Sequence, residues 1–224
     1  MNAIQWAWTK FTQNVGTMLT LALAAILVYA VVYGLGFLVA QPFAPEADTF
    51  NFETGQIEEG GGNFWVYTAV LMLVAGIAIA AGFAVMTALT HAALKIARGE
   101  PVNPGAAFAG IPWGSVVVAA ILIGIGSFVG LLLCYLPGLI WQFVTMYTMY
   151  FVIDRRLAPV DAIKASIQLT TQNLGPTLLF FLLAIVVGFV GALLCGIGLL
   201  VAVPVIVLGQ AYTYRALQNE PVAP

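Results

Sequence analysis

The densest set of chemistry-bearing side chains in this sequence is Asp154-Arg155-Arg156. Two adjacent guanidinium groups beside a carboxylate can hold an anionic lipid headgroup or a protein partner, each arginine contributing about 1 kcal/mol near an anionic membrane surface. The plainer use is a charged stop at a helix end, with Asp154 paired locally. Three uncharged polar residues, Gln142, Thr145 and Gln210, fall inside otherwise apolar runs. Together with Tyr147, Thr148 and Tyr150 they are candidates to line a polar cleft; interhelical hydrogen bonds, worth about 1–2 kcal/mol or less, are the simpler role. His91 is the only histidine, which excludes a multi-histidine metal site and suits a residue near a helix end. Cys134 and Cys195 match no zinc or redox spacing. They read as two free thiols near equivalent turns, with a disulfide as the alternative. Glu58-Glu59-Gly60-Gly61-Gly62 lacks the alternating ligands of a calcium loop and reads as a solvated loop. No catalytic, cofactor-binding or metal-binding constellation is legible, and no cofactor is implied.

The elements that must position these residues lie in lipid. Of 224 residues 62% are hydrophobic and 7% charged, with mean hydropathy +1.03. A soluble domain carries roughly 25% charged residues, and no soluble fold of this length could bury so much apolar surface. The net charge of −2 and the lack of a basic run argue against nucleic acid as a partner. Six apolar stretches stand out, at about Thr17–Ala40, Phe64–Thr87, Val116–Tyr135, Leu139–Ile153, Thr177–Leu194 and Leu199–Tyr212. A helix needs about 20 residues to cross the hydrocarbon core. The third and fourth stretches are joined by Leu136-Pro137-Gly138 and the last two by Gly196-Ile197-Gly198, short breaks that favour hairpins over single long helices. The expected fold is therefore an all-α membrane protein of six transmembrane helices, one integral membrane domain over residues 1–224.

Charge sets the expected direction. The seven basic residues are Lys10, Lys95, Arg98, Arg155, Arg156, Lys164 and Arg215, and six spans put all of them on one side. The positive-inside rule makes that side cytoplasmic, with both termini there. The other side carries the acidic loop at about 41–63, with Glu46, Asp48, Glu53, Glu58 and Glu59. Lys10 precedes an apolar stretch longer than the roughly 7–15 residues of a signal h-region, so a retained first span is expected.

The chain also repeats itself. Thr12-Gln13-Asn14-Val15-Gly16 returns as Thr171-Gln172-Asn173-Leu174-Gly175, and Leu132-Leu133-Cys134 parallels Leu193-Leu194-Cys195. These echoes predict three hairpin repeats at about 1–98, 99–156 and 157–224. The approach segments Asn2–Asn14 and Pro159–Asn173 have helical apolar spacing and are expected to lie as amphipathic helices in the headgroup plane. Small residues four apart, as in Gly126-x-x-x-Gly130 and Gly188-x-x-x-Ala192-x-x-x-Gly196, predict close helix packing.

Leu136-Pro137-Gly138, Trp141, Val152-Ile153-Asp154-Arg155-Arg156, Asp161-Ala162-Ile163-Lys164-Ala165-Ser166 and Gln172-Asn173-Leu174-Gly175 together resemble a group of bacterial membrane proteins. The group comprises the DUF975-type proteins, the membrane region preceding some glycerophosphodiester phosphodiesterases, and actinobacterial proline and glycine rich transmembrane proteins. Trp6-Ala-Trp8-Thr-Lys10-Phe11 is similar to the actinobacterial members. The resemblance implies a bacterial inner membrane location and supplies no active-site residues. No span carries an ionisable residue at its middle, where a charge costs at least about 2.5 kcal/mol and usually marks transport or catalysis. The reading is therefore a non-enzymatic accessory or scaffold protein of the cell envelope. Its expected partners are anionic lipid headgroups and a membrane protein. A permease or lipid-handling protein is the alternative.

Overall fold

The structure is a computed structural model that describes residues 3–46, 49–51, 56–58, 60–133, 135–194 and 196–224, with 49–51 and 56–58 as backbone. In chain order the elements are α1 (Ala3–Gln13), α2 (Val15–Ala40), β1 (Thr49–Asn51), β2 (Gln56–Glu58), α3 (Phe64–Arg98), α4 (Trp113–Leu132), α5 (Tyr135–Thr145), α6 (Thr148–Asp154), α7 (Pro159–Gln172), α8 (Leu174–Leu193) and α9 (Leu199–Ala216). Among the described residues six helical stretches are long and apolar enough to cross a membrane, with α5 and α6 together forming the fourth. The chain is an all-α, multi-pass membrane protein. Large apolar side chains such as Leu132, Phe189 and Leu193 stand more than half exposed on these helices, a surface that only lipid accommodates.

Two compact units divide the chain: Met1–Leu23 with Met86–Pro224, and Ala24–Val85. In the smaller unit, β1 and β2 form an antiparallel ribbon pairing Thr49 with Glu58 and Asn51 with Gln56. Asn63 caps α3, its side-chain carbonyl accepting from the amides of Trp65 and Val66 at 3.1 and 3.2 Å. That cap satisfies two of the four amides a helix start leaves unbonded. The Tyr29 and Tyr33 rings stack at 6.2 Å.

The larger unit is built on two hairpins, α4 against α5 and α8 against α9. Each closes on a pair of glycines. A β carbon on Gly130 would lie 2.6 Å from Gly138 Cα, and one on Gly191 would lie 3.2 Å from the Gly198 carbonyl carbon. Backbones this close leave no room for a side chain. The fourth and sixth spans are the enclosed ones, with 44% and 56% of their apolar windows buried against 17% for the third and fifth. They form the centre of this unit.

Three features differ from the sequence reading, each for a local reason. The second span, α3, runs on to Arg98, well past Thr87; its 35 residues measure about 52 Å, against about 30 Å of hydrocarbon. Leu136-Pro137-Gly138 forms the first turn of α5 rather than the outer turn. Proline is tolerated there because a first-turn amide has no intrahelical partner. The fourth span is interrupted at Met146–Tyr147, between α5 and α6. The pairing of Cys134 and Cys195 lies outside the described residues, as do the side chains of Asp48, Glu53, Glu58 and Glu59.

The two approach segments form α1 and α7 as their spacing predicts. Both hand over to a span through an asparagine. Asn14 Nδ2 donates to the Lys10 carbonyl at 2.9 Å, and Asn173 Nδ2 donates to the Leu169 carbonyl at 3.0 Å. Each asparagine's own carbonyl then accepts the first hydrogen bond of the span, from Met18 and Thr177 respectively. The recurring Thr-Gln-Asn is thus a helix–helix joint.

Candidate functional site

The break in the fourth span lies among buried side chains, where an unpaired backbone group is costly. Other elements mend it. Ser166 of α7 is fully buried; its Oγ donates to the Val144 carbonyl at 2.8 Å and accepts from the Tyr147 amide at 3.1 Å. Gln210 of α9 donates from Nε2 to the Met146 carbonyl at 2.6 Å. The interrupted backbone is therefore held from two sides, by a helix before the fifth span and by the sixth span itself.

An aromatic stack continues from the break. Tyr147, Tyr150 and Tyr214 are at most 2% exposed, and the Tyr150 and Tyr214 rings lie 5.4 Å apart. Phe151 meets Tyr214 edge-on at 5.0 Å. Each phenol finds a partner, as a buried phenol must. Tyr147 OH donates to Thr213 Oγ1 at 3.2 Å and Tyr150 OH to the Val207 carbonyl at 2.9 Å. Tyr214 OH donates to Asp154 Oδ2 at 3.1 Å.

Asp154 begins a charged network at the end of the same helices. Its Oδ1 pairs with Arg98 of α3, and its side chain is only 6% exposed. Arg155 reaches Glu220 Oε1 at 2.5 Å, and Arg215 reaches Glu220 Oε2 at 3.1 Å. Burial disfavours the charged Arg155, but the hydrogen bonds and charges of Tyr214 and Glu220 outweigh it and raise the Arg155 pKa. The segment after α9 is fastened at several points. Arg215 Nε and Nη2 donate to the Pro221 carbonyl at 3.1 and 2.9 Å, and Ala223 N donates to the Ala97 carbonyl at 2.9 Å. Trp6 Nε1 of α1 donates to the Ala223 carbonyl at 2.8 Å. Trp6 also packs on Tyr212 at 5.2 Å, and α1 crosses α9 where Gly209 leaves space beside Ala7. The tail thus joins α1, α3, α6 and α9.

Of the residues singled out from sequence, Asp154 and Arg155 enter this network, whereas Arg156 turns to the Gly110 carbonyl at 2.6 Å. Gln210 engages the break. Thr145 is buried and bonds back to the Trp141 carbonyl of its own helix at 2.7 Å. Gln142 is exposed and lines a separate hollow of about 320 Å³ with Ser127 and Tyr135. His91 Nδ1 lies 2.9 Å from the Ala107 carbonyl, so the proton sits on Nδ1. The sequence did not mark Ser166, Tyr214, Arg98 or Glu220 as site residues, because their parts depend on neighbours distant in sequence. Among the described residues no group of three or more His, Cys, Asp or Glu side chains is placed to hold a metal ion.

No family model and no solved structure match the chain. It is 34% identical over 226 aligned positions to uncharacterized protein Rv2560 of Mycobacterium tuberculosis (strain ATCC 25618 / H37Rv), covering 97% of this chain and 68% of that protein. The same identity and coverage hold for uncharacterized protein Mb2590 of Mycobacterium bovis and MT2637 of Mycobacterium tuberculosis strain CDC 1551 / Oshkosh. At this identity over almost all of its length, the chain belongs to the family of these uncharacterized mycobacterial proteins.

Proposed function

We propose that the chain is a non-catalytic accessory or scaffold protein of a bacterial plasma membrane, with both termini on the cytoplasmic side. The observation that carries this reading is where its polar groups go. Ser166, Gln210 and Asp154 each bond a different helix or the interrupted span, and Arg155 and Arg215 each engage the tail after α9. Groups engaged in joining elements serve a rigid frame, and a rigid frame suits a subunit that presents surface to a partner. The orientation is supported by the seven basic residues, all on one side of a six-span arrangement. The resemblance to actinobacterial proline and glycine rich transmembrane proteins supports the compartment.

A tagged pull-down from native membranes in mild detergent, quantified for stoichiometry, tests the role. A membrane protein recovered near one-to-one supports it; recovery of the chain alone refutes it. Orientation is tested on a background without native cysteines. A cysteine replacing Glu46 is expected to label from outside and one replacing Lys164 only after permeabilisation, and the reverse pattern overturns it.

One observation favours a second reading, lipid or small-molecule handling. A groove of about 720 Å³ runs between α1, α8 and α9, lined by Ile4, Trp8, Val187, Val190, Val201 and Val205 among others. Its size is that of a ligand pocket and its wall is almost wholly apolar. Recovery of the chain alone with a specific lipid retained supports this reading over the first.

A further inference from the structure

The basic end of the larger unit sorts its cations into two sets. Arg98, Arg155 and Arg215 face carboxylates: Arg98 pairs with Asp154 and lies 3.6 Å from Glu100, and the other two share Glu220. Among the described residues, no carboxylate lies within ion-pair distance of Lys10, Lys95, Arg156 or Lys164. Of these four, Lys95 and Arg156 meet one segment, residues 105–110. His91 and Lys95 stand four residues apart on one face of α3, and the segment 105–110 packs there through the His91 contact with the Ala107 carbonyl. Arg156 reaches the same segment from the end of α6, donating one N–H to the Gly110 carbonyl.

The donor count is informative. A guanidinium has five N–H groups and an ammonium three, so a single carbonyl leaves most of this capacity free. Arg156 is exposed, while Lys95 is half-buried. The backbone also holds Arg156 in place at some strain. Its φ is +53°, the left-handed conformation that favours glycine at the end of a helix. Trp113, three residues beyond Gly110, is 37% exposed, as suits a ring at headgroup level. Uncompensated donors, a fork-shaped cation beside a point charge, and an interfacial tryptophan together describe a receptor for a phosphoryl oxygen cluster.

We propose that Lys95 and Arg156, framed by residues 105–110, bind the phosphoryl group of an anionic phospholipid at the end of α3 and α6. Arg155, its neighbour in sequence, is excluded from this role because Glu220 occupies it. The inference concerns a lipid site on the chain itself and stands apart from the accessory role, so either can fail alone.

The test uses the full chain, purified and delipidated in mild detergent, titrated with phosphatidylglycerol, phosphatidylcholine or inorganic phosphate. Thermal unfolding and lipid retained on native mass spectrometry are the readouts. Phosphatidylglycerol is expected to stabilise the chain and phosphatidylcholine to have little effect. Lys95→Gln and Arg156→Gln are each expected to weaken phosphatidylglycerol binding about fivefold, and the double variant about thirtyfold. Lys164→Gln removes the same charge from α7 and is expected to change binding less than about twofold. Equal losses for Lys95→Gln and Lys164→Gln would mean diffuse attraction and overturn the site. So would equal binding of both lipids. Full competition by inorganic phosphate at matched concentration would assign the site to free phosphate and overturn the lipid. If Arg156→Gln does not fold, Lys95→Gln decides, since its side chain makes no hydrogen bond or ion pair among the described residues; unchanged affinity refutes the proposal.

Discussion

Ser166→Ala removes one hydroxyl and challenges the whole account of the interrupted fourth span. Ser166 Oγ is both donor to the Val144 carbonyl and acceptor from the Tyr147 amide, and the residue is fully buried. Alanine fits the space without strain, so packing is conserved and only the two hydrogen bonds are lost. Each orphaned buried backbone group costs about 1–3 kcal/mol. Interhelical bonds measured within membranes average nearer 0.6 kcal/mol and reach about 1.7. Two groups lost together should therefore cost about 1.5–4 kcal/mol, with the lower figure applying if the break relaxes into a continuous helix. The measurement is reversible unfolding in mixed micelles, followed by far-UV circular dichroism and by tyrosine fluorescence from the nearby rings. Gln210→Leu, which orphans the Met146 carbonyl from the other side, should cost about 1–2 kcal/mol. Because both residues hold one segment, the double variant should depart from additivity by at least about 0.5 kcal/mol. Thr145→Val is the internal control. It is buried in the same span but bonds back to its own helix, and should cost under about 1 kcal/mol. A Ser166→Ala effect no larger than that of Thr145→Val would refute the idea that α7 sustains the break.

Gly130→Ala and Gly191→Ala should each destabilise by about 1–3 kcal/mol or more, because the new methyl group meets backbone or a β carbon rather than a flexible side chain. Unchanged unfolding midpoints would disprove the close hairpin approach. Trp6→Phe keeps an aromatic ring against Tyr212 but loses the hydrogen bond to the Ala223 carbonyl. A cost of about 1 kcal/mol is expected, with faster proteolysis of the tail as the accompanying readout. Glu220→Gln leaves Arg155 and Arg215 without a carboxylate partner and should loosen the same tail, seen as faster hydrogen exchange over residues 217–224. Thr170→Val should be neutral or stabilising by up to about 1 kcal/mol, since its buried hydroxyl has no hydrogen-bond partner among the described residues. A clear destabilisation would show that the hydroxyl is engaged.

The parts legible in sequence are those set by local pattern. Six apolar stretches become six helical spans, the fourth in two pieces, because a chain in lipid must satisfy its backbone within each segment. Pro159 starts α7, and the Asn14 and Asn173 joints sit where the repeated Thr-Gln-Asn placed them. The glycines foretold close packing, though Gly130 meets Gly138 and Gly191 meets Gly198 across the hairpins, a pairing no spacing within one helix reveals.

The parts decided by tertiary structure are those where a side chain's partner lies far along the chain. Nothing at Met146–Tyr147 reads as a break, since neither glycine nor proline stands there. The interruption exists because Ser166 and Gln210, 20 and 64 residues beyond Met146, supply the bonds that a continuous helix would have supplied itself. Asp154-Arg155-Arg156 shows the same division at its sharpest. Sequence alone makes three adjacent charges at the end of an apolar run. Only the fold sends Asp154 to Arg98 and Tyr214, Arg155 to Glu220, and Arg156 to Gly110. Periodicity and composition settle what each segment does against lipid, because lipid is the same solvent for every helix. Partner choice among polar groups depends on distances of a few ångströms between segments, which only the packed structure defines.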